Sequence, residues 1–127
     1  GLGKPVVQPL AAYGDAALDH YRKLGVEFDC IYSGYLASEA EQQLVHKAFS
    51  YWPGALKVVD PVLADHGRFY TGMQDLLPGM RELCRQADLI LPNLTEACFL
   101  LGRDYCADEL TADQAQALAD EVSAAEG

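Results

Sequence analysis

Apolar residues along the chain fall into short blocks of two kinds, set apart by stretches rich in glycine, proline and charge. In the first kind they recur every three or four residues, the period of a helix with one buried face. Residues 14–24 (GDAALDHYRKL) place Ala17, Leu18, Tyr21 and Leu24 in this way, and Gly25 follows as a stop. Residues 38–51 (SEAEQQLVHKAFSY) open with Ser38 three residues before Glu41, a capping box, and then carry Leu44, Val45, Ala48 and Phe49 on one face. Leu76, Leu77, Met80, Leu83 and Cys84 predict a third helix, Asn93 opens a fourth that Gly102 ends, and Thr111 caps an Ala-rich fifth reaching about Ser123. Blocks of the second kind are apolar almost throughout and too short for helices: 28–35 (FDCIYSGY), 55–62 (ALKVVDPV) and 88–92 (DLILP). These predict buried strands, the second ending at Asp60-Pro61. Between them, Ala64 to Gly72 (ADHGRFYTG) is too rich in glycine and charge for a core element and reads as a connection.

The resulting order is helix, strand, helix, strand, helix, strand, helix, helix. Uniformly apolar strands separated by helices predict an α/β domain with a doubly wound, mainly parallel sheet and helices on both faces. Such sheets bind ligands outside the carboxyl ends of their strands, which singles out Ser33 to Tyr35, Asp60 to Tyr70, and Asn93 to Glu96. The front of the chain fits less well. Gly1-Leu2-Gly3-Lys4 has the look of a loop after a strand, with no strand before it, and Pro5-Val6-Val7-Gln8-Pro9 is a strand-like scrap interrupted by prolines. The domain is expected to begin in its middle.

With 127 residues, half of them hydrophobic and 22% charged, the chain has the make-up of one packed domain or part of one. Nine Lys and Arg against nineteen Asp and Glu give a net charge of −10, a field that repels nucleic-acid backbones and anionic lipid. A nucleotide stays open as a ligand, because phosphates are held by backbone N–H groups, a divalent cation and one or two local charges. No block approaches the ~18–20 apolar residues of a membrane span, so a cytoplasmic protein with no membrane partner is expected. Cys30, Cys84, Cys98 and Cys106 show no C-x-x-C spacing and are expected to be reduced, structural thiols.

Two constellations carry candidate chemistry. In DPVLADHG a strand delivers Asp60 to the sheet edge and a turn adds Asp65 and His66; paired carboxylates suit hydrated Mg²⁺, although each could equally serve its own loop. In PNLTEA, Asn93 and Glu96 sit three apart at a helix entry, where a Glu is either a cap or part of an anion or metal site. Both lie on neighbouring carboxyl-end loops and could share a metal or a phosphate. The remaining signals are weaker: Gly1-Leu2-Gly3-Lys4 falls short of a phosphate loop, His20 and His46 lie on helices without ligand spacing, and no hydrolase triad is supported.

Together, DPVLADHGRFY and ADLILPNLTEACFLLG, with SGYLAS before them, resemble the central signature of pyridoxal kinases in the ribokinase-like superfamily, over about Leu18 to Gly102. Related hydroxymethylpyrimidine kinases share the same motifs. The resemblance implies ATP-dependent phosphorylation of the 5′-hydroxymethyl group of pyridoxal, pyridoxine or pyridoxamine, with Mg²⁺, a monovalent cation such as K⁺, and a homodimer. It implies that Asp65 lies at the ATP phosphates and metal, that Asn93 and Glu96 organise metal-bound water, and that Asp60 shapes the same corner, so that Asp60, Asp65 and Glu96 form the metal side. Tyr70 would lie on the loop over the phosphates, and Gly34 and Tyr35 would approach the vitamer. The general base of that family, an Asp in Gly-Thr-Gly-Asp, has no counterpart after Gly102. No catalytic base is therefore expected in these residues, and segments are expected to be missing near Lys4 and after Gly127. Two other classes stand against this reading: a non-catalytic nucleotide or vitamer binding module, and a flavodoxin-like interaction domain in which the carboxylates are only caps.

Overall fold

The structure, a computed structural model, describes residues 3, 6–105 and 111–126. In chain order they form α1 (Ala11–Lys23), β1 (Cys30–Ser33), α2 (Glu39–Tyr51), β2 (Leu56–Val59), β3 (Ala64–Asp65), β4 (Arg68–Phe69), a 3-10 turn (Gln74–Leu76) running into α3 (Leu77–Gln86), β5 (Leu89–Ile90), α4 (Leu94–Leu100) and α5 (Ala112–Glu126). The strands β1, β2 and β5 make a parallel sheet in the order β1-β2-β5, and β3 and β4 make a separate antiparallel hairpin. The α/β class and the parallel sheet are as the sequence predicts. Cys106, Lys4 and most of the Gly1-to-Lys4 segment, which also drew attention in the sequence, lie outside the described residues.

Helix ends follow local chemistry. The Ser38 hydroxyl accepts the Glu41 N–H (3.3 Å), so α2 starts where its cap requires. Gly102, at φ +70°, turns the chain away from α4, with Gly102 N–H bonded to the Phe99 carbonyl and Arg103 N–H to that of Cys98. The strands are shorter than their apolar blocks. Phe28, for example, is spent on an edge-to-face contact with Trp52, ring centres 4.7 Å apart, outside the ladder.

The main correction concerns Ala64 to Gly72. This stretch is a hairpin, and Leu63 and Ala64 at its start are fully buried. Its two-residue turn, His66-Gly67, has φ of 48° and 75°, the mirror-image turn whose twist suits a tight hairpin. A Cβ at Gly67 would also lie 2.5 Å from the Tyr105 ring, so this position requires glycine twice over.

The core joins Val59, Leu63, Met80, Leu83, Cys84, Leu100 and Val122 with Phe49, and Ile31 and Ile90 pack against it from the sheet. The helices thus lie on the face of Ile31, Val59 and Ile90. On the opposite face Tyr32, Leu56 and Leu89 are exposed, at 58%, 49% and 48%, and Cys30 is exposed beside them. The described residues supply one of the two helical layers that the sequence pattern predicts. Cys84 and Cys98 are buried thiols as expected, whereas Cys30 lies on the open face. Helix α1 has no buried residue, and Tyr21 and Leu24 of its expected apolar face stay exposed. Polar contacts tie it to α2: Lys47 Nζ bridges Asp15 (2.6 Å) and Asp19 (2.8 Å), and Arg22 donates to the Tyr51 carbonyl (2.8 Å).

Candidate functional site

The three carboxyl-end loops meet as the topology predicts. Asp60 N–H donates to the Ser33 carbonyl (2.9 Å) and Leu91 N–H to that of Val59 (3.0 Å), which fixes Asp60 and the Pro92-Asn93 turn at one edge of the sheet. There the N-terminal turn of α4 and the hairpin lock together. Asn93 and Glu96 cap each other: the Asn93 side chain accepts the Glu96 N–H (2.9 Å), and Glu96 Oε2 accepts the Asn93 N–H (2.9 Å). Each side chain also reaches the hairpin. Asn93 Nδ2 donates to the Ala64 carbonyl (2.8 Å), and Glu96 Oε1 accepts the N–H groups of Leu63 (3.0 Å) and Ala64 (3.4 Å). Thr95 completes the lock by accepting the Gly67 N–H (3.0 Å). Of the alternatives in the sequence the structure shows the cap, and the same two side chains also hold the loop that carries Asp65.

Asp65 itself is exposed, with Oδ1 accepting the N–H of His66 (2.8 Å) and Oδ2 3.5 Å from the His66 ring. Among the described residues Asp60 accepts no loop N–H group; Oδ2 takes the Tyr32 hydroxyl (2.6 Å). Glu96 is 3% exposed, and burial raises its pKa above the ordinary carboxylate value despite three backbone N–H donors, with the nearby Asp60 charge adding to the rise. Burial, then the charges of Asp65 and Glu96, raise the pKa of Tyr70, which places its phenol in the same negative field. Tyr70 N–H donates to the Leu63 carbonyl (2.9 Å), so it follows directly from the hairpin.

Among the described residues no three His, Cys, Asp or Glu side chains converge enough to hold a metal ion unaided. Asp60, Asp65 and Glu96 are therefore not a preformed cage. The donor set, all oxygen and all carboxylate, does fit a hydrated Mg²⁺, which uses one or two protein carboxylates and completes its shell with water and substrate phosphates. Asp60 and Asp65 have oxygens to offer, whereas Oε1 of Glu96 is taken twice and Oε2 once.

Gly34 lines an apolar cavity of about 390 Å³ between α1, β1 and α2, together with Leu18, Ile31, Leu44 and Val45. Tyr35 is 62% exposed and does not line it. Ser33, also on the cavity wall, has a buried hydroxyl with no hydrogen-bond partner among the described residues. Sequence reasoning missed Tyr32, and it placed Ser33 and Thr95 in the carboxyl-end loops without giving either a role of its own; strand alternation could have put Tyr32 on the face opposite Ile31 and Ser33, but nothing local marks its partner.

A parallel sheet with carboxylate-bearing loops at the carboxyl ends of β2 and β5 places this chain among α/β proteins, and the superpositions that follow make the fold ribokinase-like. Residues 20–125 match the family model described as phosphomethylpyrimidine kinase, and the chain belongs to that family. It is 32% identical over 108 residues to a Schizosaccharomyces pombe protein named "Putative pyridoxal kinase", covering 79% of this chain and 35% of that one. The crystal structure of a "putative phosphomethylpyrimidine kinase" from Bacteroides thetaiotaomicron, in an orthorhombic form with pyridoxal, superposes with TM-score 0.83 at 36% identity, over 93% of this chain and 42% of the other. Pyridoxal kinase from Lactobacillus plantarum gives TM-score 0.84 at 34% identity, over 98% and 44%. The chain spans less than half the length of each of these relatives.

Proposed function

We propose that these residues are the central part of a single kinase domain that transfers the terminal phosphoryl group of ATP to the 5′-hydroxymethyl group of a B6 vitamer. One observation carries this reading: the α4 cap residues hold the Asp65 hairpin against the sheet edge beside Asp60, a rigid carboxylate corner in a chain 34% identical to a pyridoxal kinase. Phosphoryl transfer needs positioning and charge neutralisation above all. Mg²⁺, when bound, would neutralise the transferring phosphate; Asp60 and Asp65 would hold it, with Glu96 and Asn93 fixing the loop from which Asp65 projects. Tyr70 would face the phosphates, and Gly34 and Tyr35 the vitamer. The base that takes the hydroxymethyl proton, and a K⁺ site, are assigned to sequence outside these residues, and a cytoplasmic homodimer is part of the same reading.

The test is an assay of the complete polypeptide with Mg²⁺ and ATP, pyridoxal and hydroxymethylpyrimidine being offered separately. Phosphorylation of pyridoxal at the higher kcat/KM is the expected result. A preference for the pyrimidine would move the substrate to the other branch of the family, and no transfer to either would favour a binding module. Asp65→Asn should lower kcat more than it weakens pyridoxal binding; equal losses would remove Asp65 from the phosphate side.

A further inference from the structure

The hydrogen bond between Tyr32 and Asp60 joins the open face of the sheet to the carboxylate corner. Tyr32 is 58% exposed, so its ring contributes little to the core, yet its hydroxyl donates to Asp60 Oδ2 at 2.6 Å. Asp60 needs such a donor. Among the described residues neither it nor Glu96 is ion-paired with a Lys, Arg or His, although the Asp60 charge is felt at Glu96. Repulsion from the buried Glu96 carboxylate would turn Asp60 outward into solvent. The tyrosine opposes this, because an O–H···O⁻ bond is both short and stronger than a neutral one. It engages one oxygen and leaves Oδ1 without a donor from the described residues.

We propose that Tyr32 is a positioning residue, fixing the Asp60 carboxylate so that Oδ1 is presented to a divalent cation. This rests on the kinase reading only in that Asp60 meets a cation. Partners of ligating carboxylates govern affinity through orientation, and losing one commonly weakens metal binding about tenfold or more.

The test is a double-mutant cycle on the complete polypeptide, with Mn²⁺ binding in the presence of ADP read by electron paramagnetic resonance of the free ion. Tyr32→Phe should weaken Mn²⁺ about tenfold in the wild-type background. In the Asp60→Asn background the same change should weaken it no further. The thermal midpoint of Tyr32→Phe should stay close to wild type, since the ring is kept. Unchanged affinity, equal weakening in both backgrounds, or a wild type that binds no Mn²⁺ overturns the proposal. Absence of pyridoxal phosphorylation by a wild type that shows the coupled Mn²⁺ result would overturn the substrate and leave the role of Tyr32 standing.

Discussion

The hairpin corner and the β1 side of the molecule handle exposed chemistry in opposite ways. At the corner, polar groups are matched whether buried or not: buried Glu96 and Thr95, with exposed Asn93, satisfy N–H and carbonyl groups of Leu63, Ala64 and Gly67. Around β1, apolar groups are bare and a polar one is orphaned: Tyr32, Leu56 and Leu89 face outward, while the Ser33 hydroxyl is buried without a partner. The corner thus has its own means of staying in shape, because every bond there is lost together if the hairpin lifts. The β1 side holds its form through the ladder to β2 and its packing on α2, and its open surface adds to that through the Tyr32 hydroxyl on Asp60.

The largest effect should come from Glu96→Ala, which strips an acceptor from Leu63, Ala64 and Asn93 at once. Orphaned buried donors cost roughly 1–3 kcal/mol each and do not add fully, so a loss of about 3 kcal/mol in urea unfolding is expected. A loss below that of an ordinary surface change would mean the hairpin is held by packing alone. The sign of the pH dependence sharpens this. The Glu96 pKa is raised in the folded state, so its contribution to stability is fully present below the unfolded value near 4.5 and declines as pH rises through the folded one. Relative to Glu96→Gln, the native chain should therefore lose stability across that window and run parallel above it. Next comes Gly67→Ala, strained by its positive φ and by the Tyr105 ring, with about 2 kcal/mol expected. A thermal midpoint equal to that of the native chain would show that the turn can re-form in another shape.

This ranking explains what could be read from sequence. Ser38 and Thr111 mark helix starts because the bond each makes, to Glu41 and Gln114, spans three residues. Asp60, Asn93 and Glu96 could be placed at one edge because parallel topology puts all strand ends together. Their partners could not. Glu96 reaches Leu63 from 33 residues away and Tyr32 reaches Asp60 across 28, and no local pattern encodes such pairs. The hairpin escaped for a related reason: its charged residues dominate the composition, while the burial of Leu63 and Ala64 depends on α4. The His-Gly turn was its one local sign.

On the β1 side the effects should be smaller, and the first of them should run the other way. Ser33→Ala removes a hydroxyl whose burial nothing offsets, so stability should rise by about 1 kcal/mol. A fall would mean that the hydroxyl finds a partner in solution, such as a water in the adjoining cavity.

The smallest effect is expected where α1 meets α2. Lys47 bridges Asp15 and Asp19, and these contacts raise its pKa, while the Tyr51 hydroxyl donates to Asp19 at 2.5 Å. The cluster is open to water, and ion pairs of this kind are weakened by competing solvent and by salt. Because α1 buries no residue, however, few apolar contacts stand behind the pair. Lys47→Met should therefore leave the global unfolding midpoint nearly unchanged while speeding amide exchange in Ala11–Lys23, and 1 M NaCl should produce much the same local effect in the native chain. Exchange that stays as slow as before in both cases would show that α1 is held without Lys47, by Leu18 and by the bonds of Arg22 and Asp19 to Tyr51, and the contrast between the two regions would then owe nothing to this ion pair.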